Sequence, residues 1–142
     1  MAGVDVVPEM TALAKQAMFE GKPLYDEVVT LDANAPHFAP PGAPYDLVLA
    51  LSVLPYVGEA AVFITTMAKS LAEDGVAALT IEPYNGTGGF GVVPATARFG
   101  HSAEYIKQLA FAAGLTLVGQ ETIVLYPDSK DTLLMFAKAK AE

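Results

Sequence analysis

The stretch YDLVLAL, Tyr45 to Leu51, constrains the fold most: apart from Asp46 it is an apolar run about one strand long. A run without alternation has both faces covered, as a central strand of a parallel sheet does. Around it, strand-like segments alternate with helical patterns. Ala2 to Val7 reads as a short buried strand ending at an acidic residue. Pro8 at the first helical position and Glu9 in the first turn open a helix. Met10, Leu13, Ala14, Ala17 and Met18 then follow at the spacing of one buried stripe, and Gly21 stops it. A second strand, about Glu27 to Leu31, ends at Asp32. Ala33 to Pro44 holds Pro36, Pro40, Pro41, Pro44 and Gly42, and reads as a loop.

Beyond the central run, a helix begins near Gly58 and reaches about Ala72, with Val62, Met67, Ala68 and Leu71 inward. Asp74-Gly75 punctuates it before a buried strand, Val76 to Ile81. Pro83 to Gly100 is glycine-rich and aperiodic, hence a long loop. Ser102 is placed to cap a helix from Ala103 to Ala113, with Gly114 past its end. Leu115 to Tyr126 and Leu133 to Ala139 read as strands joined by the turn Pro127-Asp128-Ser129, which makes them antiparallel neighbours. Lys138 to Glu142 read as frayed. The order predicts an α/β fold: a mostly parallel sheet flanked by helices and closed by a C-terminal antiparallel hairpin.

With 142 residues, 53% of them hydrophobic, the chain has the material for one domain with a sizeable core. A mean hydropathy of +0.39 with only 17% charged residues leaves apolar surface to spare, so contact with another chain is expected. The net charge of −8 argues against nucleic-acid backbones and anionic membranes, whose phosphates need clustered Lys and Arg. The absence of cysteine excludes disulfides, thiolate zinc sites and a cysteine nucleophile, and is compatible with the cytoplasm. Met1 to Pro8 carries no basic residue and is not a secretory signal. Leu47 to Val57, interrupted by Ser52 and Pro55, is too short to span a bilayer.

Five blocks carry a resemblance to a known family: GVDVVPEMTALAKQ (Gly3 to Gln16), VVTLDA (Val28 to Ala33), YDLVLALSVLPYVG (Tyr45 to Gly58), LAEDGVAALTIE (Leu71 to Glu82) and RFGHSAEYIKQLAFAAGLTLV (Arg98 to Val118). In family order they resemble the class I, Rossmann-like S-adenosylmethionine-dependent methyltransferases. The middle and late blocks also resemble the methyltransferase domains attached to tetratricopeptide repeats. The resemblance implies an adenosine half-site for S-adenosylmethionine: Asp5 on the ribose hydroxyls, Val6 against the adenine, Asp32 and the Ala33 N–H at the adenine edge, and Leu51 and Ser52 along the cofactor floor. Glu82, Tyr84 and Asn85 fall where members of the family meet their acceptor. Read without the family, Asp5 can serve the following helix start and Asp32 can cap a loop. Tyr56 and the Pro55 turn read as packing, His101 as a capping or surface residue, and His37 as exposed.

The sequence departs from the family at its start, where a strand and a glycine-rich turn normally hold the methionine end of the cofactor. Asn85-Gly86-Thr87-Gly88-Gly89 comes too late to fill that role. The expectation is therefore a domain truncated at its N-terminus, completed by a further segment or partner chain, or a catalytically inactive binding or scaffold protein. A nicotinamide-dependent oxidoreductase fragment is the third reading, and the closing hairpin tells against it. In family order the absent strand lies between the strands ending at Asp5 and at Leu51. Direct pairing of those two strands is the expected closure, with strand donation or homodimerisation as the alternative.

Overall fold

Two pairs of parallel strands lie on either side of an open slot. The computed structural model describes residues 1–127 and 129–140, so Asp128, Ala141 and Glu142 lie outside the described residues. On one side β1 (Ala2–Asp5) pairs in parallel with β4 (Glu27–Thr30), in the register Ala2 to Glu27 and Asp5 to Thr30. On the other side β5 (Tyr45–Ala50) pairs in parallel with β6 (Leu71–Ile81), and the sheet continues through β10 (Asp131–Lys138) to β9 (Leu115–Ile123). The last two strands are antiparallel neighbours in one sheet, as the short connection requires.

The helices follow the sequence pattern with shifted ends. α1 (Pro8–Ala14) has proline in its first turn and Glu9 near its positive end. α2 (Ala61–Ser70) starts after Gly58 and stops at Ser70, because Leu71 already belongs to β6. Asp74, with φ 62°, and Gly75 fall inside that long strand rather than ending a helix. α3 (Ala103–Ala112) is capped as its sequence implies: the Ser102 side chain accepts from the Tyr105 N–H at 3.2 Å. α2 and α3 cover one face of the four-stranded sheet. Between them and the sheet, Leu54, Ile64, Leu79, Ile106, Leu134 and Phe136 are fully buried.

Four sequence expectations are corrected. The stripe of α1 is not buried: Met10 and Leu13 are 51% and 62% exposed, because no further layer covers them, and the helix is instead held through the Thr11 hydroxyl, 2.8 Å from that of Thr30. Between α1 and β4 lies an unforeseen hairpin of β2 (Met18–Phe19) and β3 (Lys22–Pro23), turning on Glu20 and Gly21. Both turn residues have positive φ, the geometry of a two-residue hairpin loop. The glycine-rich segment is likewise not one loop: β7 (Phe90–Val93) and β8 (Arg98–His101) form an antiparallel hairpin within it, and short strands of this kind leave little periodicity to read. Lys138 is not frayed: its ammonium donates to the carbonyls of Ala68 and Leu71 at 3.0 and 2.7 Å, closing the C-terminal end of α2.

The slot itself corrects the expected closure by direct pairing. β1 pairs with β4 and β5 with β6, and β1 and β5 do not pair with each other. The Ala33 carbonyl, just after β4, accepts from the Thr66 hydroxyl of α2 at 3.0 Å, tying the small sheet to the helical layer. Side chains of Tyr25, Phe38 and Phe63 line the space between. No helix among the described residues is long and apolar enough to cross a membrane.

Candidate functional site

The two halves turn away from the slot in opposite directions, β1 to β4 on one side and β5 to β6 on the other. Such a reversal of strand order is where open α/β sheets bind ligands, outside the carboxyl ends of the strands. The sequence-derived site residues gather at those ends. Asp5 is the last residue of β1, and its carbonyl accepts from the Leu31 N–H at 3.0 Å. The β1–β4 register places Asp5 opposite Thr30, two residues before Asp32. The pairing of these strands therefore brings both carboxylates to one edge.

Each carboxylate is half engaged. Asp5 Oδ1 accepts from the Val7 N–H at 2.8 Å and Asp32 Oδ1 from the Asn34 N–H at 2.8 Å, so both close local turns. Each Oδ2 takes no hydrogen bond among the described residues and stays available to a hydroxyl or amino group. Service to a helix start or loop and service to a ligand are thus compatible. Val6, beside Asp5, is exposed and free to meet a flat ring. Ala33 lines the slot, whereas its carbonyl is already used by Thr66.

Across the slot, Leu51 is about half exposed, and Ser52 has φ 57°, unusual for a residue other than glycine. That conformation is held by the buried Thr80 hydroxyl of β6, which accepts from the Ser52 N–H at 2.8 Å. A strained residue at a strand end marks a place where geometry is imposed by the surroundings. The Tyr126 hydroxyl lies 3.5 Å from Ser52 Oγ, and Tyr126 and Tyr56 are both exposed. Tyr56 therefore does not pack as its sequence context suggested; Pro55 beside it does.

The slot has a volume of about 610 Å3 and is lined mostly by apolar side chains, among them Val4, Val48, Val53 and Phe63. Asp5 lines a separate cavity of about 210 Å3 with Met10, Ala14 and Tyr25. Val6, Asp32, Leu51 and Ser52 line neither cavity. The structure thus places Asp5 and Asp32 at the same end of the β1–β4 pair and Ser52 just past the end of β5, on the other side of the slot.

The hairpin β7–β8 claims the other singled-out residues. Glu82 accepts from the Thr96 hydroxyl at 2.7 Å and lies 3.7 Å from Arg98 Nε. The Tyr84 ring lies so close over Gly91 that a side chain there would meet its hydroxyl. Asn85 and His37 are exposed. His101 is neither a surface nor a capping residue. It is fully buried, stacked on Phe90 and Tyr105 at 5.9 and 6.3 Å, and its Nε2–H faces the Gly58 carbonyl at 2.9 Å. Burial pushes its pKa below the usual histidine value, and its Nδ1 is buried without a hydrogen-bond partner among the described residues. Sequence reasoning missed this because nothing in a glycine-rich segment signals that it folds back over a helix.

No protein-family model matches the sequence, and no curated protein matches it; the similarity found is one of structure. The chain superposes on magnesium protoporphyrin IX methyltransferase (ChlM) from Synechocystis PCC 6803 with bound SAM at a TM-score of 0.70 and 17% identity. That match uses 97% of this chain and 59% of ChlM. N-methyltransferase NodS from Bradyrhizobium japonicum WM9, in complex with S-adenosyl-l-homocysteine, gives 0.70 at 20% identity, over 98% of this chain and 66% of NodS. The [4+2]-cyclase SpnF gives 0.74 at 15% identity, over 99% of this chain and 66% of SpnF. The chain thus spans about 60 to 66% of these three proteins. Its α/β architecture, with parallel pairs about a switch point and a closing antiparallel hairpin, is the Rossmann-like fold of the class I S-adenosylmethionine-dependent methyltransferases.

Proposed function

We propose that this chain supplies the adenosine-holding part of an S-adenosylmethionine-dependent methyltransferase site, passing the methyl group to an acceptor once a further polypeptide segment completes the site. The observation that supports this most is the placement of Asp5 and Asp32 at the same end of the β1–β4 pair, each with one carboxylate oxygen unbonded among the described residues. Asp5 would take the ribose hydroxyls, Val6 the adenine face, and Asp32 with the Ala33 N–H the adenine edge. Leu51 and Ser52 would form the floor. The residues present fit the adenosine end. No residue present is assigned to the methionine end, which the family holds with its glycine-rich turn.

When bound, the cofactor supplies an electrophilic methyl group, whose transfer depends mainly on alignment with the acceptor. The chain's own contribution is to bind and orient. On the acceptor side, Tyr126 stands exposed beside the strained Ser52, and Tyr56 is exposed four residues further along the chain. Glu82 and Tyr84 are engaged in bracing the hairpin, which leaves Asn85 as the free member of that group. A cytoplasmic setting is compatible with the cysteine-free sequence. A second reading, a binding or scaffold protein without methyl transfer, is favoured by the open slot and by SpnF, a cyclase of the same fold.

Calorimetry with adenosine, S-adenosylhomocysteine and NAD tests the reading. Adenosine and S-adenosylhomocysteine are expected to bind equally, and Asp5→Ala to weaken both by roughly ten- to a hundredfold, the worth of about 1.5–3 kcal/mol for a hydrogen bond to a charged group. S-adenosylhomocysteine binding much more tightly than adenosine would show that the methionine end is held after all. No binding of either would leave the scaffold reading.

A further inference from the structure

Tyr84 dictates what can follow it between β6 and β7. Its ring and hydroxyl lie over Gly86 and Gly91 so closely that a Cβ on either would collide with them. Position 86 therefore takes glycine alone. The residue before it is Asn85, which is exposed and lies outside every helix and strand. The Gly86 N–H donates no backbone hydrogen bond among the described residues, so this nitrogen is free to react. The chain's other asparagine is placed differently. Asn34 is half-buried and its N–H donates to Asp32 Oδ1 at 2.8 Å. Its side-chain oxygen is buried, and the Ala35 N–H that follows it donates to the Asp32 carbonyl at 3.1 Å.

We infer that Asn85 is a site of spontaneous covalent modification, at which the Gly86 nitrogen turns the side-chain amide into a carboxylate. Hydroxide takes the Gly86 amide proton, and the nitrogen attacks Asn85 Cγ. The N–Cγ bond forms, the bond from Cγ to the side-chain nitrogen breaks, and ammonia leaves with a proton from water. Glycine favours closure of this five-membered imide, because it has no Cβ to crowd the nitrogen and bends freely. Water then opens the ring. Addition at Cγ gives aspartate, and addition at the main-chain carbonyl carbon gives isoaspartate, in which the chain runs through the side chain. Nothing is oxidised or reduced, and water is the one co-reactant. Either product adds a negative charge to a chain already at −8, three residues from Glu82, whose carboxylate holds Thr96 and Arg98 beside the hairpin. Isoaspartate also lengthens the main chain by one carbon between Tyr84 and Gly86. Tyr84 then cannot keep its place over both Gly86 and Gly91, and the start of the β7–β8 hairpin loosens. The modification needs only water and base, so it stands apart from the cofactor reading above.

The test incubates the full 142-residue chain at mildly alkaline pH, folded and in denaturant, and follows both asparagines by peptide mass mapping. Asn85 is expected to convert in the folded chain at a rate within about tenfold of that in denaturant, because the loop needs little opening to react. Ammonia release should match the converted fraction, the rate should climb with pH, and Asn34 should stay intact while the chain is folded. Asn85→Gln, at an exposed position, is expected to fold normally and stop the conversion, since its longer side chain must close a larger ring. Amide exchange at Phe90, Gly91 and Val92 should be faster in the isoaspartyl fraction than in freshly made Asn85→Asp, which carries the charge without the extra carbon. Asn85 left intact in the folded chain under conditions that convert it in denaturant would overturn the inference, as would conversion that ignores pH or proceeds equally at Asn34. Unchanged exchange in the isoaspartyl fraction would overturn the link to the hairpin.

Discussion

The half of the molecule built on β5, β6, β9 and β10 and the half built on β1 and β4 are made from similar residues and differ in what covers them. In the larger half two helices close over the sheet, and Phe136, Leu134, Leu79 and Ile106 reach complete burial. In the smaller half Val28 is the one large apolar side chain that counts as buried among the described residues, while Met10 and Leu13 of its helix stand in solvent. Strand and helix signals are equally good in both. The comparison teaches that a βαβ unit with sound local signals still needs a neighbour to bury its stripe, because most helix stability comes from packing an apolar face.

The largest test of this contrast is a pair of core deletions. Phe136→Ala is expected to cost about 3–5 kcal/mol in denaturant melts, the range for a fully buried phenylalanine. Val28→Ala should cost clearly less, because its surroundings are open enough to relax. Equal losses would break the comparison. A smaller test sets cap against anchor. Ser102→Ala should lower global stability by about 1 kcal/mol through loss of the α3 cap. Thr11→Val should leave the global melt nearly unchanged and speed amide exchange in α1 alone, since Thr11 ties that helix to β4.

The smallest expected effect concerns pH. The folded pKa of His101 lies below the unfolded value of 6.5, mainly through burial, so the unfolded chain binds more protons in the window between the two values. Stability from keeping this ring neutral is complete above 6.5 and is lost as pH falls through the folded value. Thermal melts across that window should show the larger half weakening with acid, and His101→Phe should flatten the dependence. A melt whose acid sensitivity is unchanged in that variant would remove His101 from the account.

Legibility differed by residue. The helix from Ala103 was readable because Ser102 and Gly114 mark its ends by local backbone chemistry. The closing hairpin followed from two β-rich runs around Pro127 and Ser129, where the Ser129 N–H indeed bonds the Tyr126 carbonyl at 3.0 Å. The β7–β8 hairpin was not readable, since its order comes from aromatic contacts of Phe90 with Phe99 and Tyr105. At the candidate site, Asp5 and Asp32 were found as acidic residues at strand ends. The Val7 and Asn34 N–H groups that hold one oxygen of each could not be inferred without the turn geometry.

Taken alone, the sequence determined the order of the three helices and of the strands β1, β4, β5, β6, β9 and β10, though not the hairpins β2–β3 and β7–β8, and it located the acidic residues at strand ends, because these rest on periodicity and on capping within a few neighbouring residues. Only the tertiary structure decided which apolar stripes are covered, that His101 is buried, that Ser52 is held with φ 57° by Thr80, and that β1 and β5 stand apart. Those outcomes depend on contacts between segments far apart in the chain. An apolar residue such as Leu49 carries the same local signal whether or not another layer arrives to cover it.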